Sequence, residues 1–267
     1  MDSDLYDQQW RVEQEHWWFR ARRHIIVSLL DRYAPPPCDG RLRVCDFGCG
    51  TGGNLAAIAD RYDVTGIDKA PEAVAYAKRR LGDRVVQGEL PNNVDLPSEA
   101  FDAVLITDVL EHVEDDKGTV ETALRILRPD GVIVSTVPAH PWLFCEMDRR
   151  LHHFRRYSKR QFRQLFTVDS ADVELLSYFN TLLFVPAAVV RYSSKFLTYR
   201  DATVDLEVPH RAINAVLEPI MRSEAALIGR APFPIGFSLA AVVRKQTKSH
   251  GHVVHRQSNA LSTFAES

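Results

Sequence analysis

The chain has 267 residues, of which 45% are hydrophobic and 25% charged, with a formal net charge of −2. That length and composition suit a soluble globular protein with one large α/β domain and an elaboration, or two small domains. The near-zero charge gives no electrostatic case for nucleic acid as a partner.

Four cysteines (Cys38, Cys45, Cys49 and Cys145) lack a zinc-type spacing, which fits a reducing compartment better than a disulfide framework. The N-terminal MDSDLYDQQW is acidic and polar, without the basic and apolar stretches of a secretory signal. The longest apolar run, Thr181 to Val190, has ten residues with a proline inside, too short for a bilayer span of roughly 20. The expected location is the cytoplasm, at most on the surface of the inner membrane.

From Arg41 to Val137 short β-rich runs alternate with helical patterns, the signature of a parallel sheet with crossover helices. Leu42–Asp46 reads as the first strand. A glycine-rich turn follows, then a helix with Leu55, Ile58, Ala59 and Tyr62 on one face. Asp63–Asp68 is a second strand. Pro71 suits the first turn of the next helix, where a missing N–H costs nothing, and Val74, Ala77 and Leu81 give that helix its buried stripe. Arg84–Gln87 and Phe101–Thr107 read as strands three and four. Val120, Leu124 and Leu127 mark a helix stopped by Arg128-Pro129-Asp130-Gly131, and Val132–Val137 is an almost wholly apolar fifth strand. Beyond it come a His-, Arg- and aromatic-rich stretch with a helix over Ser158–Phe166, strand six over Val173–Tyr178 and strand seven over Phe237–Val243. The 58 residues between them, Phe179 to Gly236, look mainly helical. From 249 to 267 the chain is polar and aperiodic, and disorder is expected there, with solvated His250, His252 and His255.

Asp46-Phe47-Gly48-Cys49-Gly50-Thr51-Gly52-Gly53 lies between a strand and a helix. Glycines there permit a sharp turn and close approach of a ligand to the main chain, and the helix beyond offers unpaired N–H groups. Gly48, Gly50 and Gly53 also satisfy the dinucleotide pattern G-x-G-x-x-G. Asp46 favours a different ligand: its charge would repel a pyrophosphate, whereas S-adenosylmethionine carries an ammonium and a sulfonium. The competing reading is an Asp46 that only caps the turn. Asp68 ends strand two, 18 residues after Gly50, where an acid can accept both ribose hydroxyls. Glu89 follows strand three and can accept from an adenine amino group. Three acids at the carboxyl ends of three successive strands converge on the crevice where open α/β sheets bind ligands.

On these residues the chain resembles the class I methyltransferases, especially the subgroup with the ubiquinone-biosynthesis enzymes. Asp46–Gly52 matches the family's first motif and Gly66-Ile67-Asp68 its second. Phe101–Val104 with Asp108-Val109-Leu110-Glu111-His112-Val113, and Leu127–Gly131, match the segments around strands four and five. Glu89 stands where the family more often has Asp. The resemblance covers roughly Trp17 to Val137 and the final strands. It implies an α/β fold with a doubly wound, seven-stranded, mostly parallel sheet of order 3-2-1-4-5-7-6, and S-adenosylmethionine as cofactor. Implied cofactor contacts are Asp46, Gly48, Gly50, Gly52, Asp68, Lys69, Glu89, Leu90 and Thr107. The run Glu15–Arg23 looks like the subgroup's entry segment, with Arg22 on the methionine carboxylate and Trp18 toward the substrate; an amphipathic helix packed on the domain is the other reading.

The domain plan is thus an entry segment over 1–40, a methyltransferase domain over 41–248 with a helical insertion at 179–236, and the tail. On the acceptor side, His112, His152, His153 and Tyr157 are candidate acid/base groups and Arg156 a candidate anion clamp; a solvated basic loop is the alternative. No metal is expected, since Cys145, Asp148, His152 and His153 lack tetrahedral spacing. The expected acceptor is a small molecule or a lipid- or glycan-linked group. Contact with a membrane through 179–200, or a homodimer, would explain the long connection. A nicotinamide-dependent oxidoreductase and a non-catalytic cofactor-binding protein of the same fold are the rival functions.

Overall fold

A computed structural model describes residues 3–185, 188–189 and 208–247. Most of the stretch 179–200 expected to meet a membrane (186–187 and 190–200) and the tail histidines lie outside those residues.

In chain order the helices and strands are α1 (Ser3–Val12), α2 (Trp17–Tyr33), β1 (Arg43–Phe47), α3 (Gly53–Ala56), β2 (Asp63–Asp68), α4 (Pro71–Leu81), β3 (Val85–Gln87) and β4 (Phe101–Thr107). They continue with α5 (Asp116–Ile126), β5 (Leu127–Pro138), α6 (Glu146–Arg150), α7 (Lys159–Gln164), β6 (Ala171–Phe179), α8 (Arg211–Ser223), α9 (Ala225–Ile228) and β7 (Ser238–Lys245). The strands form one sheet of order β3-β2-β1-β4-β5-β7-β6. β1 pairs in parallel with β2 and β4, and β7 runs antiparallel to both β5 and β6. Fold class and strand order are as the sequence implies.

Successive side chains of a strand point to opposite faces, and this alternation builds two cores. Val44, Leu105, Val134 and Val242 meet Ile25, Ile26, Leu29 and Leu30 of α2 and Val74 and Ala77 of α4. Cys45, Val104, Ile133 and Val243 meet Val120 and Leu124 of α5 and Phe162 of α7 on the other face. The helix α2 therefore belongs to the fold rather than trailing from it.

Several expected boundaries move. β1 starts and ends one residue later than expected. The helix after the glycine turn spans only four residues, because Ala57, Ile58 and Arg61 close i→i−3 turns that bring the chain back to β2. Its apolar residues Leu55, Ile58 and Tyr62 are nonetheless buried. Leu127 leaves the helix: Leu127 to Gly131 run into β5 instead of stopping it, accommodated by a register shift opposite Phe101–Ala103 and a left-handed Asp130. The helix expected over 158–166 shortens to α7, capped by a Ser158–Gln161 box. β6 lengthens by two residues at its start and one at its end, while β7 begins and ends later than expected.

Between β6 and β7 the described helices α8 and α9 pack beside α2. Asn214 Oδ1 accepts from the Trp17 amide at 3.0 Å, Arg20 pairs with Glu218 at 3.3 Å, and Met221 and Ile228 join the first core. Among the described residues no helix is long and apolar enough to cross a membrane.

Ile25 has no exposed surface, so Ile25→Ala should cost about 2–5 kcal/mol, read by urea denaturation. A loss under about 0.5 kcal/mol would show α2 to be a detachable appendage.

Candidate functional site

The carboxyl edge of the sheet assembles the site. Gly48, Gly50 and Gly52 have φ of +65°, +54° and +79°, a region L side chains rarely adopt. At Gly48 a Cβ would also lie 2.6 Å from Val109 Cγ2. The turn thereby exposes its main chain against the start of α3.

Asp46 stands within β1 under this turn. It is 1% exposed, and neither carboxylate oxygen has a hydrogen-bond partner among the described residues. Burial pushes its pKa up to about 8, against the pull of Arg22 and with a smaller push from Asp68. A carboxylate that only capped the turn would be hydrogen-bonded to it, so the capping reading fails. Asp68 ends β2 with its two oxygens accepting from Gly50 N and Ala70 N, each at 2.9 Å. Burial raises its pKa while those amides oppose the rise. Thr107 ends β4, buried, and its hydroxyl accepts from Asn54 Nδ2 at 3.1 Å.

Arg22 reaches the site from α2. Its guanidinium pairs with Asp108 and lies 4.8 Å from the centre of the Trp18 ring, while its Nε is buried without a partner. Desolvation lowers its pKa to about 10, the neighbouring Arg23 adding to the effect. Asp108 sits at φ +56°, its amide bonded to Thr136 O and its carboxylate to the Thr136 hydroxyl, both at 2.9 Å. Trp18 thus supports Arg22 and packs on the first core, as the amphipathic reading of the entry segment has it.

Glu89 is exposed, its backbone bridged to Asn93; Lys69 is exposed, and Leu90 packs on the second core. These three lie on the outer rim. Toward β5, the rings of His112 and His153 meet edge-on at 4.5 Å, and Glu111 joins them. His152 is exposed at φ +57°. The Tyr157 hydroxyl donates to Asp116 at 2.8 Å and lies 3.1 Å from Leu110 O, a bond that ties the loop to the start of α5. Arg156 is buried, bonded through Nε and Nη2 to Asp148 at 2.8 Å and through Nη1 to Ala139 O at 3.3 Å, which commits it to holding Asp148 rather than an anion.

Sequence reasoning gave no role to Glu13 or Tyr6. Glu13, buried, accepts from the Thr51 hydroxyl at 2.8 Å and pairs with Arg80, whose guanidinium lies 3.8 Å from the Trp10 ring centre. Tyr6 is buried near enough to Asp68 and Glu72 for their charges to join burial in opposing its ionisation. These contacts cross from α1 to the glycine turn and have no local sequence signal. Asp108 and Glu111 lie in a recognisable motif, and Asp148 in the basic loop, but their partners are set by tertiary approach alone.

A group whose folded pKa lies above its unfolded value stabilises the fold at low pH and loses that contribution as pH rises through the folded value. Asp46, raised to about 8 from 3.8, therefore makes the ligand-free protein less stable between roughly pH 4 and 8. Asp46→Asn should flatten that slope in urea midpoints measured across this range; an unchanged slope would mean that Asp46 is ionised and satisfied throughout.

The methyltransferase-domain family model matches residues 17–176. A ubiquinone biosynthesis O-methyltransferase of Methylocella silvestris is 40% identical over 120 residues, 42% of this chain and 46% of that protein. A demethylmenaquinone methyltransferase of Tropheryma whipplei is 32% identical over 141 residues, 50% and 56% of the two chains. The chain thus spans about half the length of these curated relatives. A solved structure of the Haloferax volcanii Trm112 methyltransferase activator with a methyltransferase superposes with a TM-score of 0.58 at 19% identity, over 93% of this chain and 96% of that one, a likeness of fold alone. With the matched segment running from α2 through most of β6 and carrying the glycine turn, Asp68 and Arg22, the chain belongs to the methyltransferase-domain family.

Proposed function

We propose that this protein transfers a methyl group from S-adenosylmethionine to a small-molecule or lipid-linked acceptor by in-line displacement. The observation that carries the reading is Asp46, a buried carboxylate with neither oxygen hydrogen-bonded among the described residues. An unpaired buried carboxylate is costly, and a cationic ligand relieves it. The rest of the crevice fits the same ligand: Arg22 offers a buried, unpaired Nε–H for a carboxylate, and Asp68 retains acceptor capacity for ribose hydroxyls. Gly48, Gly50 and Gly52 let it approach the main chain, Thr107 lines the methionine end, and Glu89, Lys69 and Leu90 border the adenine. A pyrophosphate would keep Asp46 protonated and gain nothing from it, whereas a cation draws out its ionised form, so the nicotinamide reading is not favoured.

When bound, the cofactor supplies a methyl group already activated on sulfur. The protein's own part is to hold and orient the reactants and to exclude water, which can lower a barrier by roughly 7–11 kcal/mol. Tyr6 of α1 and Glu13, just past its end, lie against the glycine turn and serve that exclusion. His112, His152 and His153 border the acceptor.

An apolar acceptor has support beyond the edge of β5. His140 stacks on Tyr178 at 5.3 Å and tilts against Phe184 at 5.2 Å. Leu182, Val185, Val189, Ile213 and Val216 are exposed nearby in sequence or on α8. The named quinone-pathway relatives agree with a greasy acceptor, met at a membrane surface through 179–200; a homodimer through the same insertion is the second use of that surface. The net charge gives no reason to invoke nucleic acid.

Asp68→Ala should weaken S-adenosylmethionine binding by about tenfold or more, the worth of a charged hydrogen bond, as read by calorimetry. Undiminished affinity would remove Asp68 from the ribose site.

A further inference from the structure

One residue beyond Asp108, the partner of Arg22, comes the turn Leu110–His112, and the loop after α6 folds back on it, with the Phe154 amide donating to Glu111 O at 2.7 Å. Asp148, without exposed surface, accepts from the Cys145 amide at 2.8 Å and from Arg156, and its Oδ1 lies 3.0 Å from His153 Nδ1. An aspartate paired with arginine accepts and does not donate. Nδ1 of His153 therefore carries the proton, and Nε2 is left as the basic nitrogen. An aspartate fixing the tautomer and ring orientation of a histidine is an arrangement that recurs where imidazole serves as a general base.

The surroundings select the acceptor. Burial, and secondarily His153, lower the pKa of His112 to about 3, and burial raises that of Glu111 to about 8, so both are uncharged near neutral pH. The charge of Asp148 is met by Arg156. An ammonium acceptor finds no free anion in this cluster, whereas a neutral hydroxyl meets uncharged hydrogen-bonding groups. We propose that His153, positioned by Asp148, is the general base of the transfer and takes the proton of an acceptor hydroxyl, so that the product is a methyl ether. This rests on the methyltransferase reading above.

In the step, the hydroxyl proton passes to Nε2 of His153 and the oxygen's electron pair forms the O–CH3 bond. The C–S bond breaks with its pair on sulfur, turning the sulfonium into a thioether. His153 then returns its proton to water.

Long-range nitrogen–proton NMR of histidine-labelled protein, with His153 assigned from H153Q, needs no acceptor. It should show the neutral imidazole of His153 as the Nδ1–H tautomer; the Nε2–H tautomer would overturn the pairing. Labelled methyl transfer is then measured with catechol and nonylphenol as hydroxyl probes and histamine as an amine probe. His153→Ala should lower transfer to the phenols by roughly 10²–10⁴-fold, with S-adenosylmethionine affinity unchanged and part of the rate restored by added imidazole. Full activity in that variant overturns the proposal. So does transfer to histamine alone, transfer to no probe by a protein that binds the cofactor, or activity lost to a chelator and regained with magnesium. Failure to bind S-adenosylmethionine at all would instead refute the methyltransferase reading, with the NMR result still deciding the tautomer.

Discussion

The site depends on the placement of one carboxylate inside the sheet edge with nothing to bond. Asp46 lies on β1, the strand flanked by β2 and β4, so water is excluded from both sides, and the glycine turn closes over it. The left-handed glycines turn away rather than offering their amides to it: Gly50 N goes to Asp68 instead. Arg22, the cation whose charge pulls on it, is paired with Asp108. A buried carboxyl in this position either stays protonated or waits for a cation, and its raised pKa expresses that choice. Such perturbation in a crevice is a mark of a binding site rather than of a core.

The N-terminal helices follow from the same constraint. A crevice that stabilises charge by excluding water needs a cover, and α1 and the start of α2 lie against it. α2 buries one face against the sheet and carries Arg22, α1 places Tyr6 near Asp68, and Glu13, just past its end, accepts from Thr51. α8 braces α2 from behind through Asn214 and Glu218, and Ile228 of α9 joins the same core, so the described part of the long connection between β6 and β7 supports the helix that carries Arg22.

Much of this was legible in the sequence because it is local. Strand alternation, the glycine turn with Asp46, and an acid after each of the next two strands are patterns of neighbours in the chain, and they placed the crevice. The entry segment was legible as an aromatic–arginine run, and its packing on the core is observed. What escaped is tertiary: the Glu13–Thr51–Arg80 clasp joins residues 38 and 67 positions apart, and nothing near Glu13 announces it. Arg156 and Tyr157 read as pocket residues from composition, yet Asp148 and Asp116 hold them, since a buried cation or hydroxyl must find a partner. The helix after the glycine turn was overlong in the reading because burial of Leu55, Ile58 and Tyr62 mimics helical periodicity even where the chain closes tight turns.

The central claim is that Asp46 is kept for a cationic ligand. Its carboxyl, at about 8, is largely protonated near neutral pH, and a bound ammonium or sulfonium favours the ionised form. Binding should therefore release a proton. Calorimetry of S-adenosylmethionine binding near neutral pH, in buffers of different ionisation enthalpy, measures this directly. The account predicts release approaching one proton per site, abolished by Asp46→Asn. A binding enthalpy that does not depend on the buffer, with affinity intact, would contradict it.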